Sequence, residues 1–289
     1  MTELRRYESA AEFLNDTMPF LARDEALNSL MLFNALRLRE RADSADASAY
    51  MAAVVGRRGA MLAAMKMPGY ALGIYAPELS DAEPYQRLAG DLMRAGVRPD
   101  KVLALAETAE RFAGIWTEET KQRSSVRMRM GCYRLDRVIT PARAAGGRMR
   151  WADESEADKI AGWIVQMGKE IGEECTREQA ENAAAYHIRE RQIGVWEDSA
   201  AGIVSMACKT RPTMNGMADN RVYTPPEHRH RGYAASCVAA VSQSVLDAGF
   251  RFCTLFTDLA NPASNGIYRK IGYEFIGEFA KIGFTDEKA

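Results

Sequence analysis

The sequence is poor in the two residue types that most often hold transition metals. It has three histidines, and its five cysteines are widely separated in the chain: Cys132, Cys175, Cys208, Cys237 and Cys253. No cysteine and histidine stand at the spacing of a zinc site, so we expect no bound metal. The cysteine count is odd and most of these residues lie in apolar runs, which predicts buried free thiols in a reducing compartment.

Long apolar runs and an excess of either charge are also missing. No apolar run approaches the ~20 residues that cross a bilayer, so we expect no membrane partner. The first residues are charged, with Glu3, Arg5, Arg6 and Glu8, which is unlike a signal peptide and favours the cytoplasm. The formal net charge of −1 and pI of about 6.4 give no basic surplus, so we expect no nucleic-acid partner.

The length and the order of the elements predict two domains. The chain has 289 residues, with 27% charged and 47% hydrophobic residues, a composition typical of globular proteins. A Pro- and Gly-containing break at residues 141–147 gives expected domains of 1–145 and 146–289. Both halves read helix, helix, strands, helix, strand, helix, strand. This order favours two copies of one mixed α/β fold, with an unrelated α/β domain in the first half as the alternative.

Local signals define several of these elements. Runs at Tyr50–Val55 and Gly59–Met67 predict a β-hairpin. Asp81 is expected to cap a helix that Gly96 closes. Thr176, followed by Gln179, forms the pattern of a capping box.

One basic turn carries most of the functional information. The segment Arg221-Val222-Tyr223-Thr224 and the turn Pro225-Pro226 precede Arg229-His-Arg-Gly-Tyr-Ala234, which opens a long helical pattern. A helix start offers unpaired N–H groups and the positive end of a dipole, and glycine lets a ligand approach the backbone. This turn therefore predicts a pyrophosphate site. It lacks the Gly-Lys-Ser/Thr of a Walker loop and the three glycines of a dinucleotide fingerprint.

The turn resembles the Gln/Arg-x-x-Gly-x-Gly/Ala loop of the GNAT family of acyl-CoA N-acyltransferases. A second segment, Asn261-Pro-Ala-Ser-Asn-Gly-Ile-Tyr268-Arg-Lys-Ile-Gly272-Tyr273, is similar to the family's later signature, with Ser264 at its small position. The resemblance covers residues from about 149 onward. It implies the GNAT acyltransferase fold, acetyl-CoA as co-substrate and an N-acetyltransferase activity. The first half has no such turn, so it is expected to be a degenerate GNAT-like copy that does not bind the cofactor.

The resemblance also assigns roles to individual residues. It implies that Tyr268 protonates the departing CoA thiolate, which makes it the expected catalytic residue. The implied cofactor contacts lie in the last strand residues, the turn and the second signature: Val222, Tyr223, Thr224, Arg229, His230, Arg231, Gly232, Tyr233, Ala234, Asn261 and Ser264. Asn261 and Tyr268 have purely structural alternatives, a turn residue before Pro262 and a packing tyrosine.

The general base and the acceptor stay open at this level. Glu173, Glu174, Asp219 and, less favoured, Glu227 could take a proton from the attacking amine, and so could a chain of water molecules. The acceptor is a small-molecule amine or a peptide amine, expected to bind in a cleft between the two halves. A CoA-binding regulatory module without turnover is the alternative function. A transferase that uses charged tRNA is a weaker third hypothesis, because it would require a basic groove.

Overall fold

The structure is a computed structural model that describes residues 2–40, 49–77, 79–140 and 145–286. In its described residues, the first part of the chain forms six strands and four helices in the order β-α-α-β-β-β-α-β-α-β. Their bounds are β1 Glu3–Arg6, α1 Ala10–Ala22, α2 Ser29–Glu40, β2 Tyr50–Gly56, β3 Gly59–Lys66, β4 Leu72–Tyr75, α3 Glu83–Arg94, β5 Lys101–Leu105, α4 Ala106–Thr120 and β6 Arg123–Leu135.

The rest of the chain repeats this order of strands and helices. Its elements are β7 Arg148–Trp151, α5 Ala157–Ile171, α6 Arg177–Arg189, β8 Ile193–Asp198, β9 Gly202–Thr210, β10 Gly216–Tyr223, α7 Tyr233–Asp247, β11 Phe252–Asp258, α8 Pro262–Lys270 and β12 Glu274–Thr285. Short 3-10 helices at Glu154–Glu156 and Pro226–His228 precede α5 and α7. The repeated order expected from the sequence is therefore present, with one further strand, β1 or β7, at the start of each copy.

Equivalent side chains support the repeat. Tyr75 ends β4 and donates its hydroxyl to Asp24, which follows α1. Tyr223 ends β10 and donates its hydroxyl to Gln166 of α5, at 2.8 Å. In both copies, a tyrosine thus ties the third strand of the hairpin region to the first helix or to the residues just after it.

The chain folds into two compact units, and their boundaries differ from the one expected at 145/146. Unit 1 contains Met1–Cys132, Thr257–Ala260 and Phe275–Ala289, and unit 2 contains Tyr133–Phe256 and Asn261–Glu274. The last strand joins unit 1 because β12 pairs antiparallel with β5, from Phe279 opposite Leu105 to Gly283 opposite Lys101. Part of the break at 141–147, residues 141–144, lies outside the described residues.

The two units have the same kind of sheet. In unit 1 the strand order is β1-β2-β3-β4-β5-β12, and in unit 2 it is β11-β10-β9-β8-β7. The β4–β5 and β10–β11 pairs are parallel, whereas β2–β3, β3–β4, β8–β9 and β9–β10 are antiparallel. The predicted hairpin at Tyr50–Val55 and Gly59–Met67 is confirmed by the β2–β3 pairing.

Helices cover both faces of each sheet. In unit 2, α7 and α8 pack on one face around Val238, Val241 and Tyr268, and α5 and α6 pack on the other around Trp163 and Ile188. Strands buried on both faces are mostly apolar instead of alternating, as in β9. A fully buried charged side chain in such a strand is therefore unusual, and β10 contains one, Asp219.

The capping predictions had mixed outcomes. Thr176 accepts from the N–H of Gln179, and Gln179 accepts from the N–H of Thr176, so the capping box is confirmed. Gly96 adopts a φ of +68° after α3 and its N–H donates to Met93, so it closes the helix as predicted. The prediction that Asp81 caps α3 was wrong. The residue before α3 is Ala82, which makes no side-chain cap, and the Pro84 ring fixes the backbone of the first turn instead.

Candidate functional site

The site begins where two parallel strands of unit 2 separate. β10 and β11 pair from Gly216 opposite Phe252 to Ala218 opposite Thr254, and in the described chain their pairing ends there. β10 continues along β9 to Tyr223, with a bulge between Asn220 and Tyr223. An unpaired strand edge leaves backbone N–H and C=O groups without partners. We call this opening between the two strands the fork.

The bulge bends β10 as it leaves β11. Arg221 has a φ of +48°, which few residues other than glycine adopt, and this conformation shifts the register with β9. Beyond it the Tyr223 carbonyl accepts from Ser205 Oγ at 3.2 Å, so this carbonyl faces β9. Successive carbonyls of a strand point to opposite edges, which turns the backbone groups of Val222 toward the fork.

The predicted phosphate turn leads from the fork into α7. His230 and Gly232 have φ values of +63° and +81°, and α7 begins at Tyr233. The Ser236 N–H donates to the Gly232 carbonyl at 3.0 Å, so the N–H groups of residues 232–235 precede the first helical bond. These groups and the helix dipole form a site suited to an anion. His230, Arg231 and Gly232 are exposed.

Arg229 has a different environment from the one the sequence suggested. Its Nε donates to the Thr224 carbonyl at 2.9 Å, and one terminal nitrogen lies 2.7 and 2.8 Å from the two carboxylate oxygens of Glu170. Its guanidinium also lies 5.8 Å from the centre of the Tyr223 ring. The Glu170 carboxylate raises the pKa of Arg229 above its ordinary value. Arg229 therefore ties the turn to β10 and α5.

Tyr233 and Ala234 form the first turn of α7. The Tyr233 side chain is buried, donates to Asp198 Oδ2 at 2.9 Å and packs edge-on against His228. Ala234 is half-buried. Tyr233 thus fixes the turn to the β8–β9 connection through its side chain, while its N–H belongs to the group at the helix start.

The second signature forms α8. Asn261 is the N-cap: its Oδ1 accepts from the Ser264 N–H at 3.1 Å, and its carbonyl accepts from Asn265 Nδ2 at 2.8 Å. Ser264 is half-buried in the first turn. The turn role that the sequence left open for Asn261 is present, and the cofactor contacts of Asn261 and Ser264 stay predictions.

Tyr268, the expected proton donor, is buried in the core under α7 and α8 with 9% of its surface exposed. Its ring packs edge-on against Tyr273, with centroids 5.9 Å apart. No hydrogen bond joins its hydroxyl to another residue of the described chain. Burial, and next the charge of Asp219, raise the pKa of Tyr268 well above its ordinary value. The phenol therefore stays protonated at neutral pH and can act as an acid.

The candidate bases lie in contrasting environments. Glu173 and Glu174 are exposed in the connection between α5 and α6, and Glu227 is exposed in the turn after β10. Asp219 is buried in β10, and burial raises its pKa to about 6. Its burial was missed in the sequence, because Asn220 and Arg221 follow it in β10 and the strand gives no local sign of a buried acid.

An open cavity lies on the α5 side of the site. It has a volume of about 480 Å³ and is lined by the C-terminal half of α5, the end of β10 and the turn after it. Trp163 and Tyr223 give it an aromatic wall, and Glu170 and Glu227 give it carboxylates. In the described residues no group of histidine, cysteine and acidic side chains could hold a metal, and no helix has the length and apolarity to cross a membrane.

Comparisons with known proteins agree with the resemblance to the GNAT family. Residues 210–284 match the family model described as "FR47-like protein". A search of curated protein sequences finds no match. The chain is similar in structure to a GCN5-related N-acetyltransferase from Sphaerobacter thermophilus, with a TM-score of 0.65 and 14% identity over 100% of this chain and 97% of the other.

Two other solved structures are similar over nearly the whole chain. One is a Drosophila protein, with a TM-score of 0.66 and 13% identity over 99% of each chain. The other is described as a tandem GNAT protein from the clavulanic acid biosynthesis pathway, with a TM-score of 0.57 and 12% identity over 100% of each chain. At these identities, the similarity shows the fold.

Proposed function

We propose that this chain, which has the GNAT fold, is an acetyl-CoA-dependent N-acetyltransferase that acetylates a primary amine. The observation that carries the proposal is the fork between β10 and β11, continued by the turn that leads into α7. An open strand edge beside an anion-binding helix start matches a ligand with an amide-rich arm and a pyrophosphate.

In this proposal the cofactor follows β10 into the turn. The pyrophosphate accepts from the N–H groups of residues 232–235, beside the exposed Arg231. The pantetheine arm pairs with the backbone of Val222–Thr224, where the Val222 groups face the fork. Asn261 and Ser264 lie at the start of α8 and contact the arm. Arg229 supports cofactor binding by holding the turn in its conformation, because its guanidinium is already bound to Glu170 and to the Thr224 carbonyl.

The proposed reaction is a direct attack of the amine on the thioester. The amine nitrogen bonds to the carbonyl carbon, the C–S bond breaks, and Tyr268 gives its proton to the departing thiolate. The attacking nitrogen loses a proton to water or to one of the exposed acids, Glu173, Glu174 or Glu227. A buried phenol that stays neutral is suited to the donor role, since a thiolate needs only a weak acid.

The acceptor is proposed to be a small-molecule or peptide amine. The cavity beside α5 opens at the end of β10, where the reacting carbon would lie, and its aromatic and acidic lining suits an amine-bearing molecule. The five cysteines are free and four are buried, which supports a reducing compartment such as the cytoplasm.

Unit 1 is proposed to be a GNAT-like copy that does not bind the cofactor. Its helix α3 corresponds to α7, but Glu83 occupies its first turn and accepts from Arg87 and Thr2. A carboxylate at a helix start competes with a phosphate for the same positive potential. Tyr75 and the β4–β5 pair are retained in this copy, whereas the glycine turn is not.

The cofactor site can be tested by thermal unfolding. Acetyl-CoA at 100 times its Kd should stabilise the wild-type protein by about 2.7 kcal/mol, because it binds the folded state. Gly232→Asp should lose this shift, since it places a carboxylate at the proposed pyrophosphate site. The matched control is Gly96→Asp, at a second glycine with positive φ, where an added Cβ meets no atom within 4 Å. A Gly232→Asp protein that keeps the full shift would contradict the assignment.

The alternative function, a CoA-binding module without turnover, also predicts the thermal shift. It differs in the product: a transferase incubated with acetyl-CoA and a mixture of amines yields an acetylated amine, detected by mass spectrometry as a gain of one acetyl group. A binding module yields none. The presence of Tyr268 at the family's tyrosine position favours the transferase.

A further inference from the structure

A buried carboxylate lies at the point where the fork opens. Asp219 follows Ala218, the last residue of β10 that pairs with β11, and is 2% exposed. Its Oδ2 accepts from Ser242 Oγ at 2.5 Å and from the Tyr273 hydroxyl at 2.6 Å. Its Oδ1 is buried and has no partner in the described chain. Burying a carboxylate without a cation in contact is unfavourable, which calls for a function that compensates.

These three residues connect three elements of unit 2. Asp219 lies in β10, Ser242 in α7, and Tyr273 in the segment between α8 and β12. Ser242 Oγ is also 3.1 Å from the Tyr273 hydroxyl, so each member contacts the other two. We call Asp219, Ser242 and Tyr273 the clamp.

The clamp is in direct contact with the expected proton donor. The Tyr273 N–H donates to the Tyr268 carbonyl at 3.0 Å and closes α8, and the two rings meet edge-on at an angle of 70°. The Tyr268 hydroxyl has no hydrogen bond within the described chain, so packing alone orients its ring. The negative charge of Asp219 adds to burial in raising the pKa of Tyr268.

We propose that Asp219, Ser242 and Tyr273 are positioning residues that hold Tyr268 in place as the proton donor of the acetyl transfer. The hydrogen bonds from Ser242 and Tyr273 fix the carboxylate, and the carboxylate fixes the Tyr273 ring against which Tyr268 packs. This role rests on the proposed N-acetyltransferase function. Asp219 does not touch the reacting atoms and acts through Tyr273.

The groups that face Asp219 come from every element packed around it. They are Lys209 and the thiol of Cys208 in β9, the thiols of Cys237 in α7 and Cys253 in β11, and the phenols of Tyr268 and Tyr273. Burial raises the pKa of all three thiols and both phenols, so they stay neutral around pH 6. Burial lowers the pKa of Lys209 from its ordinary value of 10.5. A change of charge in this cluster near pH 6 is therefore assigned to Asp219.

A double-mutant cycle tests the coupling to Tyr268. Tyr268→Phe should lower kcat on the order of 100-fold, as expected for the loss of a general acid. Tyr273→Phe should lower kcat on the order of tenfold with the Kd for acetyl-CoA within about twofold, since the donor is misplaced and the cofactor site is intact. In the Tyr268→Phe background, Tyr273→Phe should have no further effect. If the double mutant loses kcat by the product of the two single-mutant factors, the two residues act independently and the proposal is overturned.

Two further variants guard against a simple loss of stability. Tyr50→Phe removes a hydroxyl that donates to the buried Asp91 in unit 1, and it should leave kcat unchanged. Ser242→Ala removes the other donor to Asp219 and should lower kcat without raising the Kd. An equal loss of kcat in Tyr50→Phe, or an unchanged kcat in Ser242→Ala, would count against the clamp.

A measurement that needs no turnover separates this proposal from the proposed function. The carboxyl 13C resonance of Asp219, assigned with Asp219→Asn, should titrate near pH 6 in the wild type. Tyr273→Phe should move this titration to higher pH, because the charged carboxylate loses a hydrogen bond. An unmoved titration would overturn the clamp even in an active enzyme. A moved titration in a protein that acetylates no amine would support the contacts while refuting the transferase.

Discussion

Replacing Asp219 by Asn should make the protein more stable at neutral pH. Burial raises the pKa of Asp219 from an ordinary value of 3.8 to about 6, even though Ser242 and Tyr273 donate to it. A difference of about two pH units corresponds to about 3 kcal/mol between the charged and the neutral carboxyl. Asn is neutral at every pH, keeps an acceptor for the two hydroxyls and has nearly the same volume.

The sign of this pH dependence of stability follows from the direction in which folding shifts the pKa of Asp219. The folded state binds the Asp219 proton more tightly than the unfolded state, so this residue's contribution to stability is fully present below pH 3.8. It is lost as the pH rises through about 6. The free energy of unfolding of Asp219→Asn, minus that of the wild type, should therefore grow by about 2–3 kcal/mol between pH 4 and pH 7 and then level off.

Urea unfolding at a series of pH values measures this difference directly. Other acids titrate in the same range, but their effects cancel between the two proteins. Asp247→Asn changes the same group at the exposed end of α7 and should alter stability by less than about 0.5 kcal/mol. A difference between wild type and Asp219→Asn that does not vary with pH would refute the reasoning, and so would a variant destabilised at pH 7.

Three further substitutions test other parts of the account. Tyr268→Phe should lower turnover while the Kd for acetyl-CoA stays within about twofold, as measured by steady-state kinetics and calorimetry; an unchanged rate with chemistry rate-limiting would assign the proton to another donor. Arg229→Lys keeps the charge but loses the Nε–Thr224 bond, so it should weaken acetyl-CoA binding about tenfold, an effect worth about 1.4 kcal/mol; full affinity would show that charge alone matters. Gly216→Ala places a Cβ 2.1 Å from the Phe252 ring and should lower stability by about 1–3 kcal/mol in urea unfolding, whereas Gly73→Ala, with its nearest contact at 3.6 Å, should be milder; equal losses would contradict the packing.

Much of unit 2 could be predicted from the sequence because its signals are local. The capping box at Thr176 and the helix start after Gly232 each depend on a few adjacent residues. The turn before α7 has a glycine at a position with φ of +81°, and this is the conformation its motif requires. The fold class followed from these elements and from two ordered signatures.

The features that were missed depend on contacts distant in the chain. β1 and β7 are four residues long; β1 is mostly charged, and the alternation of β7 covers only two apolar residues, which is too short to predict a strand. The pairing of β12 with β5 joins residues about 180 positions apart, which no local pattern indicates. The ion pair of Arg229 also depends on a distant contact, because its partner Glu170 lies in α5.

Asp219 illustrates the limit of residue type as a guide to function. In the sequence, Asp219 ranked with Glu173 and Glu174 as a candidate base, and Glu227 was less favoured. In the fold Asp219 is buried within β10, while the three glutamates are exposed. Because Asp219 is buried and bound by Ser242 of α7, we propose that it acts through its neighbours and not as the general base.

The central claim is that the chain moves an acetyl group from CoA to an amine. It is tested most directly by following free thiol with a chromogenic disulfide, using wild-type protein, saturating acetyl-CoA and a panel of small-molecule and peptide amines. The account predicts amine-dependent thiol release for at least one acceptor class, reduced by Tyr268→Phe. No amine-dependent release across the panel, from a protein whose thermal unfolding shows that it binds acetyl-CoA, would contradict the transferase and leave a CoA-binding module.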